Sequence, residues 1–131
     1  MSPTLAEGEF VLCIKTTDLE RGDLAAFYYG NKLLIKRVIG KSADWIEIDE
    51  SGNVSVNTKP ISEPYLSEKF MGTTDISYPY QVPDAKWFVM GDNRSTSIDS
   101  RSSQIGCISE EQMIGKVFYR IWPLSRMGAI D

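Results

Sequence analysis

The chain has 131 residues, 42% hydrophobic and 24% charged, with a net charge of -4 and no histidine. That length suits one domain, no apolar run reaches the ~18 residues that cross a bilayer as a helix, and an acidic chain with no basic run is not expected to bind nucleic acid. Without histidine, Ser-His and Cys-His catalysis and most zinc and non-haem iron sites are excluded, and no cofactor is expected.

In chain order, Met1 to Gly8 is an extended lead-in, with Pro3 keeping Ser2 out of the helical region. Glu9 to Lys15 is short, apolar and rich in strand formers; Asp18 to Asp23 is a polar turn; Leu24 to Tyr29 is a second strand. Gly30-Asn31 has the chemistry of a two-residue hairpin connection, returning the chain as Leu33 to Ile39. Trp45 to Ile48 alternates apolar with polar and pairs across Asp49 to Asn53 with Val54 to Asn57, a hairpin with one wet face. The stretch 59–85 carries Pro60, Pro64, Pro79 and Pro83 among scattered aromatics and is expected to be an irregular insertion or small subdomain. Lys86 to Met90 is a compact buried strand. Ser109-Glu110-Glu111-Gln112 has the form of a capping box and predicts one short helix, and Gly115 to Trp122 is a last strand ended by Pro123. Seven or so strands with one short helix make a single, mainly β domain of antiparallel folded-sheet or partly open barrel type. Cys13 and Cys107 sit among apolar residues and are expected to be buried free thiols, with a long-range disulfide as the alternative. Trp45, Trp87 and Trp122 are expected in the core, the alternative being contact with a membrane interface.

Two stretches carry chemistry. Lys36 lies among branched aliphatics in Leu33-Leu34-Ile35-Lys36-Arg37-Val38-Ile39. Either it snorkels from an edge strand, or it is buried and must lose its charge, which makes it a usable general base. Gly91 to Arg101 is polar directly after a buried strand, and is either a solvated turn or a rigid site wall. Asp92, Arg94, Asp99 and Arg101 can form internal ion pairs there, and Ser95, Thr96, Ser97 and Ser100 supply hydroxyls.

Lys36-Arg37-Val38-Ile39-Gly40 and Gly91-Asp92-Asn93-Arg94-Ser95-Thr96-Ser97-Ile98-Asp99-Ser100-Arg101 together resemble the type I signal peptidases of Gram-positive kind. Met1-Ser2-Pro3-Thr4-Leu5 resembles that family's nucleophile box, Ser-Met-x-Pro-Thr-Leu, and the boxes come in the family's order. The resemblance implies a membrane-anchored serine protease on the extracytoplasmic face of the cell membrane, acting on the signal peptides of exported preproteins. It implies Lys36 as general base, Ser97 as the hydroxyl that orients the amine, Arg37 with Asp92 and Asp99 with Arg101 as bracing pairs, and Gly91 and Asn93 as structural or site-wall positions. The ordinary lysine pKa of ~10.4 must then fall by roughly two to three pH units, for which apolar burial is the physical means.

The chain departs from the family pattern twice. The nucleophilic serine should precede Met1, so this chain is expected to be a soluble, inactive fragment lacking both nucleophile and anchor. Ser2 is a substitute candidate displaced by roughly 6 Å along an extended chain. Lys41-Ser42-Ala43-Asp44 stands where the family has a Pro-Gly turn. The alternatives are a non-catalytic signal-peptidase-like assembly or chaperone protein that binds extended peptides, and a self-cleaving repressor of the same Ser-Lys chemistry.

Overall fold

Gly30-Asn31 reverses the chain in two residues, with Gly30 at φ 61°, and sets Tyr29 opposite Lys32. That register lays β2 (Leu24–Tyr29) beside β3 (Lys32–Gly40), so Ala25 faces Lys36 and Leu24 faces Arg37. In the computed structural model, which describes residues 1–130, this hairpin is the middle of the main antiparallel sheet. On one side β2 pairs with β10 (Met113–Trp122), which carries β1 (Phe10–Lys15) and the short β11 (Gly128–Ala129). On the other, β3 pairs with β8 (Lys86–Met90), and β8 with β9 (Ile108–Ser109). A smaller sheet runs in the order β6 (Lys59–Pro60), β5 (Val54–Val56), β4 (Trp45–Ile48), β7 (Tyr80–Gln81). The main sheet stays open from β1 to β9, and no barrel closes among the described residues.

Central strands bury both faces, as their unbroken apolar runs require. From β2, Leu24 and Ala26 pack with Val117, while Ala25 and Phe27 pack with Val38, Trp87, Val89 and Ile108 on the other face. A third cluster, including Ile39, Ile46, Val54, Val56, Phe88 and Met90, joins the small sheet to the main one. Each such aliphatic or aromatic side chain contributes about 1.5–3 kcal/mol by leaving water. Between β6 and β7 the chain is irregular, and Ile61, Met71, Ile76 and Tyr78 pack against the third cluster. The Lys41–Asp44 turn closes without proline or glycine: Lys41 N donates to Asp44 Oδ2 at 2.8 Å, and Ala43 takes φ 69°.

Four expectations fail. Met1 to Gly8 is not extended but turns, with Leu5 N donating to the Met1 carbonyl at 3.1 Å and Glu9 N to the Ala6 carbonyl at 3.3 Å. Ser109 to Gln112 opens no helix. Ser109 N donates to the Gln112 side chain at 3.1 Å, as in a capping box, but the chain makes one turn before Met113 enters β10. Ile114, Val117, Phe118, Tyr119 and Ile121 gain more from pairing with two strands than from a second helical turn. The 3-10 turn Leu124–Arg126 is the one helical element among the described residues. Both cysteines are free, but Cys13 is exposed on the edge strand β1 and only Cys107 is buried. Trp87 is in the core, whereas Trp45 and Trp122 are 45% and 50% exposed. Trp45 shares the wet face of β4 with Glu47, opposite Ile46 and Ile48, and Trp122 ends β10 opposite the exposed Phe10.

Candidate active site

Period-two alternation puts Leu34, Lys36 and Val38 on one face of β3, opposite the fully buried Ala25. Lys36 is therefore half-buried among aliphatic groups, and this burial pushes its amine below the ordinary lysine range. Asp99 acts against that shift, and Arg101 acts with it. The Nζ donates to Ser97 Oγ at 2.9 Å.

The loop 91–101 controls how Ser97 meets that amine. Ser97 Oγ donates its one proton to Asp99 Oδ2 at 2.8 Å, so a lone pair remains for Lys36. Asp99 is itself held by Gly91 N at 2.9 Å and by Arg101 Nε and Nη2 at 2.8 and 2.9 Å. The carboxylate thus keeps the serine rotor in one orientation, and its paired guanidinium offsets its charge toward the lysine. Gly91 leaves no room for a side chain: a Cβ there would lie 2.1 Å from Ser97 Oγ and 3.3 Å from Lys36 Nζ. Gly91→Ala is expected to displace Ser97 and to cost about 1–3 kcal/mol through overpacking. Chemical denaturation measures the cost, and an unchanged midpoint would refute this account of the glycine.

The solvated-turn alternative fails, because the loop's charges point inward: Asp92, Arg94, Asp99 and Arg101 are each at most 1% exposed. Arg37 Nε and Nη2 donate to Asp92 at 2.9 and 2.7 Å, and Thr4 Oγ1 also donates to Asp92. Asn93 is half-buried, and its carbonyl accepts from Ser97 N at 2.9 Å, turning the loop back toward Lys36. Arg94 pairs with neither aspartate of the loop but with the buried Glu63. Sequence reasoning missed Glu63 and Thr4. A signal for Glu63 was available: three arginines at 37, 94 and 101 face two aspartates, so a buried loop needs a third acid from elsewhere.

A cleft of about 440 Å³ opens on Lys36 and Ser97, and Met1, Ser2, Leu34, Ile98 and Ile105 are among the residues that line it. Ser2 is exposed and makes no hydrogen bond to Lys36 among the described residues. No cluster of His, Cys, Asp or Glu among them could hold a metal ion, and none of their helices is long and apolar enough to cross a membrane. The family model described as signal peptidase, peptidase S26, matches residues 1–122, a span that includes Lys36 and the whole 91–101 loop. The chain belongs to this signal peptidase family. It is 37% identical over 145 residues to signal peptidase IB of Staphylococcus aureus, covering 95% of this chain and 74% of that one. To signal peptidase I T of Bacillus subtilis it is 34% identical over 140 residues, covering 97% and 72%. The crystal structure of a signal peptidase I from Enterococcus faecalis shares the fold, with a TM-score of 0.61 at 24% identity over 76% of this chain and 97% of that one.

Proposed function

We propose that this chain carries the Ser-Lys site of a signal peptidase and removes signal peptides from exported preproteins at the extracytoplasmic face of the cell membrane. The observation that carries the reading is the Lys36 Nζ to Ser97 Oγ bond of 2.9 Å, made by a half-buried amine in an open cleft. Lys36 is the general base, and Ser97 orients it. The nucleophile is a serine directly before Met1, a position supported by Met1 and Ser2 lining the same cleft. A neutral Lys36 takes the serine proton as the oxygen attacks the scissile carbonyl. The lysine then protonates the leaving amine as the C–N bond breaks, and water hydrolyses the acyl-enzyme. An extended substrate would lie along a strand edge at the cleft.

Lengthening the chain with a segment that ends in serine directly before Met1 tests this reading. Cleavage of a signal-peptide substrate is expected only in the lengthened protein. Equal cleavage by the 131-residue chain would transfer the role to Ser2. Binding without cleavage by the lengthened protein would refute the enzyme reading and favour a peptide-binding module.

A further inference from the structure

The irregular stretch between β6 and β7 grips the site loop at both of its arginines. Glu63 accepts from Arg94 Nη1 at 3.2 Å and from Nη2, and Tyr65 Oη donates to Glu63 Oε2 at 2.7 Å. The Tyr65 ring lies 3.8 Å from the guanidinium carbon of Arg37, the residue next to Lys36. Farther on, the Met71 carbonyl accepts from Arg101 Nη1 at 2.8 Å. Gly72 sits so close that a Cβ would lie 2.2 Å from that nitrogen.

From Glu63 a short path leads to the lysine. Arg94 Nε donates to the Gly91 carbonyl at 2.9 Å, Gly91 N donates to Asp99, and the bare Gly91 Cα packs directly against Ser97 Oγ. We propose that Glu63 is a positioning residue for Lys36, holding Ser97 against the amine through Arg94 and Gly91. Among the described residues it is not one of those lining the cleft, and it makes no hydrogen bond or ion pair with Lys36. The inference rests on Lys36 being the working base. A buried ion pair often adds little stability over apolar residues of similar volume, so the contribution of this pair is in fixing geometry. The path is tight: Ser97 Oγ fills the space a side chain would need at Gly91, and Gly91 is tied through its carbonyl to Arg94 and through its N–H to Asp99.

The charged and titratable groups facing Lys36 are Asp99 and Arg101 from the loop and the Met1 amino group from the lead-in, with Tyr29 and Lys32 also lining the cleft. The double variant Glu63→Met/Arg94→Met removes a neutral pair as a unit. It leaves no orphaned charge and changes none of those groups, so a change at Lys36 reports position.

Lys36 is followed by nitrogen-15 NMR of the side-chain amine in the 131-residue chain, and kcat and KM are measured in the serine-extended chain. In the double variant the Lys36 titration is expected to move up by about half a pH unit or more as water reaches the amine. The acid limb of kcat/KM should follow it, with kcat down about tenfold or more and KM little changed. Tyr65→Phe, which removes one bond to Glu63, is expected to give a smaller shift in the same direction. A folded double variant with the parent's titration and kcat would overturn the proposal and leave Glu63 a structural residue. Retained cleavage in Lys36→Met would instead sink the base assignment underneath, while the titration still judges Glu63 on its own.

Discussion

Lys36→Met, made in the serine-extended chain, is expected to lower kcat/KM by about 10³-fold or more while making the protein more stable at neutral pH. The first effect follows from removing the proposed base, since a positioned proton acceptor contributes roughly 10²–10⁴-fold. The second follows from linkage. Burial holds the folded amine below its ordinary value, so the unfolded chain binds its proton more tightly than the folded chain. Below the folded pKa both states are protonated, and the full cost of burying the charge falls on the fold. Between the folded pKa and the unfolded ~10.4 the unfolded state holds more protons, so stability rises with pH; above ~10.4 the cost is gone. Methionine carries no such cost. Its advantage in denaturant midpoint should therefore be largest below the folded pKa of Lys36 and should fade as the pH climbs toward ~10. A variant that loses activity but shows no stability gain at any pH would mean that the amine is not held neutral by burial. Lost activity together with gained stability is what a residue kept for chemistry against the preference of the fold should show.

The parts of the site that were readable in the sequence are those whose geometry is set locally. Gly30-Asn31 fixes the register of β2 on β3, and alternation from Leu34 to Val38 then places Lys36 on an apolar face. Ser97, Asp99 and Arg101 lie within five residues of one another, so a single loop conformation brings them together. Glu63 and Thr4 meet their partners across 31 and 88 residues, and nothing near either in the chain indicates a buried role. The helix expected from Ser109 failed for a related reason. Its capping bond forms, but strand partners supplied by β1 and β2 outweigh a local preference that one turn already satisfies. Cys13 and Trp122 were misjudged because apolar neighbours in sequence do not reveal which sheet edge lacks a covering layer.

Asp99→Asn should be the most damaging single change in the loop. Asp99 accepts from Gly91 N, Ser97 Oγ and the Arg101 side chain, and both members of the ion pair are fully buried. An amide cannot accept at both positions and carries no charge, so Arg101 is left as a buried cation without its anion, a loss of about 3–5 kcal/mol. Out of a total of roughly 5–15 kcal/mol, that moves the denaturant midpoint far down. The fraction that folds should also show a displaced pH profile. Asp99 raises the Lys36 pKa and Arg101 lowers it, so neutralising the aspartate alone leaves the arginine unopposed and drives the amine further down. The acid limb of kcat/KM should move to lower pH even as its plateau falls, because Ser97 no longer has a carboxylate to commit its proton to. A limb that moved up would mean that water entry outweighs the lost charge, and an unmoved limb with a normal plateau would remove Asp99 from the site altogether. Asp99 and Glu63, two of the three buried carboxylates around this site, are therefore expected to act on Lys36 in opposite senses when lost: neutralising Asp99 alters its charge environment directly, while removing Glu63 together with Arg94 alters where Ser97 stands and how much water reaches the amine. A carboxylate can sit two residues from Ser97, beside the lysine proposed as the base, because Arg101 pairs with it.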